Sequence, residues 1–229
     1  MRGTLVNAAA ILLGSGIGVA AGARLPERQQ RIITAGLGLA TLLIGVQMAL
    51  KTESILGVIA SLVLGGLLGE WLDLEALLER AGEQLKSWAR SASGSFVTGY
   101  VTASLVFCVG PMTIVGSIQD GIGGGAELLY TKAMLDGAAS MAFAASLGVG
   151  VAFSALTVLL LQGGLTLLGA RLGFLLAPEV LGELSATGGL LIVGIGLLLL
   201  DIKRLRVANL LPALLVVVLV TIGRRALGW

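Results

Sequence analysis

The chain has 229 residues, of which 56% are hydrophobic and only 12% charged, with mean hydropathy +1.00 and a formal net charge of +2. A soluble domain carries roughly 25% charged residues, so the composition excludes a water-soluble globule, and the small net charge gives nucleic acid nothing to bind. There is no histidine and only one cysteine, Cys108, which excludes histidine-based catalysis, His-ligated zinc and an internal disulfide.

A hydrocarbon core about 30 Å thick takes about 20 apolar residues per helix. Eight segments approach that length: 4–23, 32–50, 54–72, 95–116, 126–147, 149–175, 185–200 and 207–224. They are too long and too evenly apolar for the alternating strands of a membrane barrel. The expected fold is therefore all-α, a polytopic membrane helix bundle of about eight segments forming one integral membrane domain over 1–229. Arg2, the apolar stretch and Ala21-Gly22-Ala23 fit a cleavable signal loosely. The length of the stretch and its likeness to a later internal helix favour a retained first crossing.

Residues 12–25, "LLGSGIGVAAGARL", resemble 160–172, "LLQGGLTLLGARL". The helices that follow each carry two glycines seven apart, Gly38 and Gly45, then Gly189 and Gly196. A third apolar helix follows in both cases. Helices one to three (4–72) thus read as one repeat and helices six to eight (149–225) as a second. Five crossings separate them, an odd number, so the repeats are expected to be inverted, as in many secondary transporters. The spacing Gly14/Gly18/Gly22 suits close helix packing, either within a monomer or across a homo-oligomer.

Between the third and fourth segments, 73–92 reads as an amphipathic helix. Trp71, Leu74, Leu78, Ala81, Leu85 and Trp88 share one face, and Asp73, Glu75, Glu79, Arg80, Glu83 and Lys86 the other. It lies either on the protein's own surface or in the headgroups with its tryptophans as anchors. Nine Lys and Arg fall on the side of the first loop, this helix and the 201–206 loop, against six on the other. The positive-inside rule then puts both termini outside the cytoplasm of a prokaryotic plasma membrane.

The central hairpin, 95–147, holds the unusual chemistry. Gly110 and Pro111 should break the fourth helix, which lipid tolerates only where the break is buried in protein or faces a watery cavity. The half-helix "TIVGSIQDG" follows. Its freed N–H groups near Met112 and Thr113 suit an anion, and carbonyls freed around Phe107 and Cys108 suit a cation. Gly123-Gly124-Gly125 permits a tight turn. Lys132, Asp136 and Ser140 then share one helical face, and Ser117, Gln119 and Asp120 approach from the other arm. An intramembrane charge costs about 2.5–3.5 kcal/mol on insertion scales, so Asp120, Lys132 and Asp136 form the candidate ionic cluster, unless Asp120 and Lys132 sit in an aqueous loop. Asn7, Gln47 and Gln162 lie in apolar helices, where an interhelical hydrogen bond is the favoured role. Asn209 and Pro212 mark another kink.

"FCVGPMTIVGSIQDG", "KAMLDGAASMAFAASLGVGVAFSA", "ANLLPAL" and the opening "GTLVNAAAILLGSGIG" resemble the YqgA/YdfK-like family of bacterial and archaeal membrane proteins over nearly the whole chain. The resemblance implies a multi-pass membrane protein of unknown function, loosely associated with transport and with biofilm formation, and brings no chemistry with it. Its motif residues fall at Gly110, Pro111, Ser117, Gln119, Asp120, Lys132, Asp136 and Ser140.

The expected function is a small secondary transporter or channel-like protein for a small solute or ion, coupled to H⁺ or Na⁺, with those residues as its site. The alternative is a non-transporting membrane scaffold or signalling protein linked to biofilm formation. An intramembrane enzyme built on Ser140, Lys132, Asp120 and Asp136 lacks the familiar aspartyl and histidine patterns, so no enzyme is expected. No metal site or cofactor is expected, and the glycine run lacks the Lys-Ser/Thr of a phosphate loop.

Overall fold

A computed structural model describes residues 1–226. All regular structure among them is helical: α1 (Arg2–Gly22), α2 (Glu27–Ala49), α3 (Ile55–Leu72), α4 (Leu74–Trp88), α5 (Phe96–Val109), α6 (Pro111–Gly121), α7 (Glu127–Leu147), α8 (Gly150–Leu167), α9 (Pro178–Leu199) and α10 (Pro212–Ala226), with short 3₁₀ turns after α8 and before α10. Six helices are long and apolar enough to cross a bilayer, and α5 with α6 forms a seventh candidate, bent by 62° at the break. The remaining expected crossing, α7, has 21 residues but carries Lys132 and Asp136 among small residues, which lowers its hydropathy.

The break falls at Gly110–Pro111 as the sequence predicts, and Pro111 opens α6 because a first-turn N–H has no helical partner to lose. Other ends differ from expectation. Residues 168–175 of the sixth expected segment leave helix α8 for two 3₁₀ turns beginning at Gly169 and Gly173. The seventh segment starts at Pro178, seven residues before the expected 185. Glu179 suits the positive end of the helix dipole, and Glu183 accepts from Thr52 Oγ1 (2.7 Å) and Glu53 N–H (2.8 Å), so its buried charge is compensated.

The chain forms two compact units that interleave along the sequence. One comprises 1–37, 79–108 and 112–173, and the other 38–78, 109–111 and the residues from Phe174 onward. In the first, α1 packs on α7 and α8. Cβ atoms added at Gly14, Gly18 and Gly22 would lie 2.1–2.3 Å from the carbonyls of Gly137, Met141 and Ala145. The contacts advance together along both helices, so α1 and α7 run parallel, and the glycine stripe is spent within the chain rather than on a second copy. Against α8 the register falls as α1 rises, through Thr4–Thr166 and Asn7–Gln162, so that pair is antiparallel. Gly123 (φ 79°) and Gly125 (φ 99°) supply the left-handed turn between α6 and α7.

The second unit pairs α3 with α10 and α9 with both α10 and the C-terminal half of α2. Gly65 meets Ala213, and a Cβ at Gly69 would lie 1.9 Å from the Asn209 carbonyl. A Cβ at Gly45 would lie 2.7 Å from Gly189 O, and one at Gly196 3.1 Å from Gly38 O. Asn209 is a clamp: Oδ1 accepts from Glu75 N–H (2.7 Å) and Nδ2 donates to Glu70 (2.6 Å), while Ala208 N–H donates to Glu75 (2.8 Å). On α4, Leu74, Leu78, Ala81 and Leu85 are half-buried, whereas Trp88 at its end and Trp71 at the end of α3 are about four-fifths exposed.

The backbone contact between α1 and α7 leaves no room for a methyl group, and overpacking of this kind costs about 1–3 kcal/mol. Gly14→Ala should therefore lower the thermal midpoint of detergent-solubilised protein and its yield by size exclusion. Gly16→Ala, whose Cβ meets nothing within 4 Å, should leave both unchanged.

Candidate functional site

The polar centre of the first unit is built on one turn of α7. Lys132 and Asp136 stand four residues apart, the spacing at which helical side chains meet, and they form an ion pair with both residues buried. The same carboxylate oxygen, Asp136 Oδ2, accepts from Asn7 Nδ2 of α1 at 3.0 Å. Asn7 Nδ2 also donates to Gln162 Oε1 of α8 at 3.1 Å. One amide thus links three helices: Asn7 of α1 bonds the carboxylate of α7 and the Gln162 carbonyl of α8. Neither charge lies in an aqueous loop: Lys132 is 4% exposed and Asp136 8%. Cys108, at the end of α5, lies within electrostatic range of both charges.

The carboxylate fixes the orientation of both amides. Asn7 must turn its NH₂ toward Asp136, because its carbonyl would face a like partial charge. That NH₂ then holds the Gln162 carbonyl. In consequence Asn7 Oδ1 and Gln162 Nε2 point elsewhere, and both are fully buried without a hydrogen-bond partner. Buried polar atoms are satisfied in more than about nine cases in ten, and two of the seven unpartnered buried side-chain atoms among the described residues, one acceptor and one donor, belong to this network.

The other expected site residues fall elsewhere. Asp120 does not join the Lys132–Asp136 pair; its Oδ2 accepts from Gly3 N–H (3.2 Å) and lies 2.8 Å from the Met1 ammonium. Ser140 shares its hydroxyl between the carbonyls of Gly137 (2.9 Å) and Ile11 (3.2 Å), at the tight α1–α7 contact. Ser117 Oγ is buried with no partner. Gln119 lends its carbonyl to Gly124 N–H, closing the turn after α6. Gly110 and Pro111 form the helix break and group with the second unit. The Phe107 carbonyl, expected to be free for a cation, already accepts from Thr113 Oγ1 at 2.9 Å.

Sequence reasoning gave Asn7 and Gln162 an interhelical hydrogen bond, which they make, but did not connect them to Asp136. Nor did it find the line of hydroxyls from Tyr100 through Thr157 (3.1 Å) to Ser104 (3.0 Å). Tyr100, Ser104 and Cys108 recur every four residues on α5, a spacing that was available as a signal. Among the described residues no group of three or more acidic or cysteine side chains could hold a metal ion.

Removing one partner of a buried pair strands the other charge, at about 3–5 kcal/mol, whereas removing both can be close to neutral. Lys132→Met and Asp136→Asn should each lower the thermal midpoint strongly, and the double variant should recover most of the loss. Purely additive effects in that cycle would show that the two side chains do not act as a pair.

The family described as Protein of unknown function (DUF554) matches residues 2–222. The "Uncharacterized protein YqgA" of Escherichia coli (strain K12) is 34% identical over 218 residues, covering 93% of both chains. The "Uncharacterized membrane protein YdfK" of Bacillus subtilis (strain 168) is 31% identical over 220 residues, covering 94% of this chain and 93% of its own. No solved structure matches. The chain is a multi-pass helical membrane protein, and by these matches it belongs to the DUF554 family.

Proposed function

We propose that this protein is a small secondary transporter or channel-like protein of the prokaryotic plasma membrane, acting on a small solute or ion at the Lys132–Asp136 pair with Asn7 and Gln162. One observation carries the reading: a buried ion pair linked through Asn7 to three helices, with one atom of each of the two amides left without a partner. Intramembrane charges are expensive and rare, and they cluster on substrate and ion pathways. A pair serving only as a lock needs no unsatisfied neighbours.

Contact register supports the inverted repeat. The sequence aligns Gly38 with Gly189 and Gly45 with Gly196. In space Gly45 meets Gly189 and Gly196 meets Gly38. A contact between i and j′ that recurs between j and i′ is the mark of a two-fold relation. The parallel run of α1 and α7 supports a full crossing by the bent α5–α6 pair, since α2 and α3 alone would return the chain to the wrong side. With eight crossings, both termini lie on one side, and the Lys and Arg count makes it the outer one.

The exposed Trp71 and Trp88 favour a second reading, a non-transporting scaffold or signalling component held at the headgroups by α4. Water access separates the two. Cys108 is the only thiol and lies within electrostatic range of the ion pair, so its labelling reports on water access to that region. In membrane vesicles a charged methanethiosulfonate should label Cys108 from one face. If Cys108 resists the reagent from both faces, yet reacts fully once the protein is denatured, the transporter reading fails and the scaffold reading gains.

A further inference from the structure

We propose that the site takes up a small monovalent anion together with one proton, the anion on Lys132 and the proton on Asp136. The inference rests on the transport reading and names its substrate class.

Charge balance leads there. Lys132 and Asp136 sum to zero, and in a site this buried any net charge is costly. A ligand that binds one partner must separate the pair, and the abandoned partner then needs its own compensation. Two exchanges keep the sum at zero. An anion on the ammonium leaves the carboxylate to take a proton from water, so anion and proton enter together. A cation on the carboxylate instead obliges the ammonium to release a proton.

The surrounding groups choose between them. A metal cation wants several oxygens, and the network supplies one carboxylate and the single open carbonyl of Asn7, with an ammonium in the same place. An anion wants N–H groups. Lys132 gives one of its N–H bonds to Asp136, Gln162 Nε2 gives none, and a protonated Asp136 adds an O–H. Donors outnumber acceptors. The groups that bond Asp136 are Lys132 on its own helix and Asn7 on α1, with Gln162 of α8 one amide further and Cys108 of α5 within electrostatic range. Lys132 is the only cation among them, and no second carboxylate competes for the proton.

The test is thermal stabilisation of the full-length protein in detergent by sodium chloride, nitrate and formate, against sodium gluconate at equal ionic strength, from pH 5 to 8. A bound ion raises apparent stability by mass action. Linked uptake of one proton weakens apparent anion affinity by about tenfold per pH unit above the titration of Asp136. At least one of the three anions should stabilise the wild type with that slope. Asp136→Asn, neutral like the protonated acid, should keep the anion response and lose the slope. Lys132→Met should lose the response and Lys132→Arg retain it, with Lys132→Met/Asp136→Asn as the folded, uncharged control.

An unchanged slope in Asp136→Asn, or no response to any of the three anions, overturns the proposal. Stabilisation by sodium or potassium gluconate that needs Asp136 also overturns it while leaving the site in place. An anion response indifferent to both residues removes the site as well.

Discussion

The structure depends on the close approach of α1 to α7. Gly14, Gly18 and Gly22 bring the α1 backbone against the carbonyls of Gly137, Met141 and Ala145. Without that approach Asn7 could not reach Asp136, and α7 would carry two charges with only each other for company. In lipid, where apolar surface gains little from meeting apolar surface, small residues and interhelical hydrogen bonds supply the association. Here the two act on the same helix pair. The glycines set the distance, and Ser140 and Asn7 use it to hydrogen-bond across.

That geometry also explains why α7 tolerates its composition. It is the least apolar of the long helices in the first unit, and α1 and α8 cover its polar face. Its ammonium and carboxylate neutralise each other, Asn7 adds a hydrogen bond to the carboxylate, and Gln162 extends the network to α8. The second unit solves its polar problem differently. Glu70, Glu75, Arg206 and Asn209 bind one another and the backbone where α3 gives way to α4, with Asp73 of the same cluster 3.7 Å from Arg206. That network sits half-exposed at a helix junction, whereas the ion pair on α7 is buried among three helices.

Much of this was legible in the residues. The break at Gly110–Pro111, the half-helix after it, the glycine turn at 123–125 and the Lys132/Asp136 pairing follow from rules acting within a few residues of chain. Asp120 shows where such rules end. Its position on α6 allowed it to join the Lys132–Asp136 cluster, and only the packing of the N-terminal residues beside α6 directs it to Gly3. Asn7 and Gln162, 155 residues apart, each looked like an isolated polar residue in an apolar helix. Nothing local says that one of them meets the other and also a carboxylate on a third helix.

The sequence by itself determined the apolar surroundings of this protein, its all-helical character and the helix break at Gly110–Pro111. These depend on hydropathy and backbone chemistry, which are properties of short segments. Tertiary structure alone decided which polar groups meet, that the glycine stripe of α1 is covered by α7, and that one atom of each of two buried amides is left without a partner. These depend on the register between helices far apart in sequence, where sliding one helix by a single turn would give each side chain a different neighbour without changing any residue.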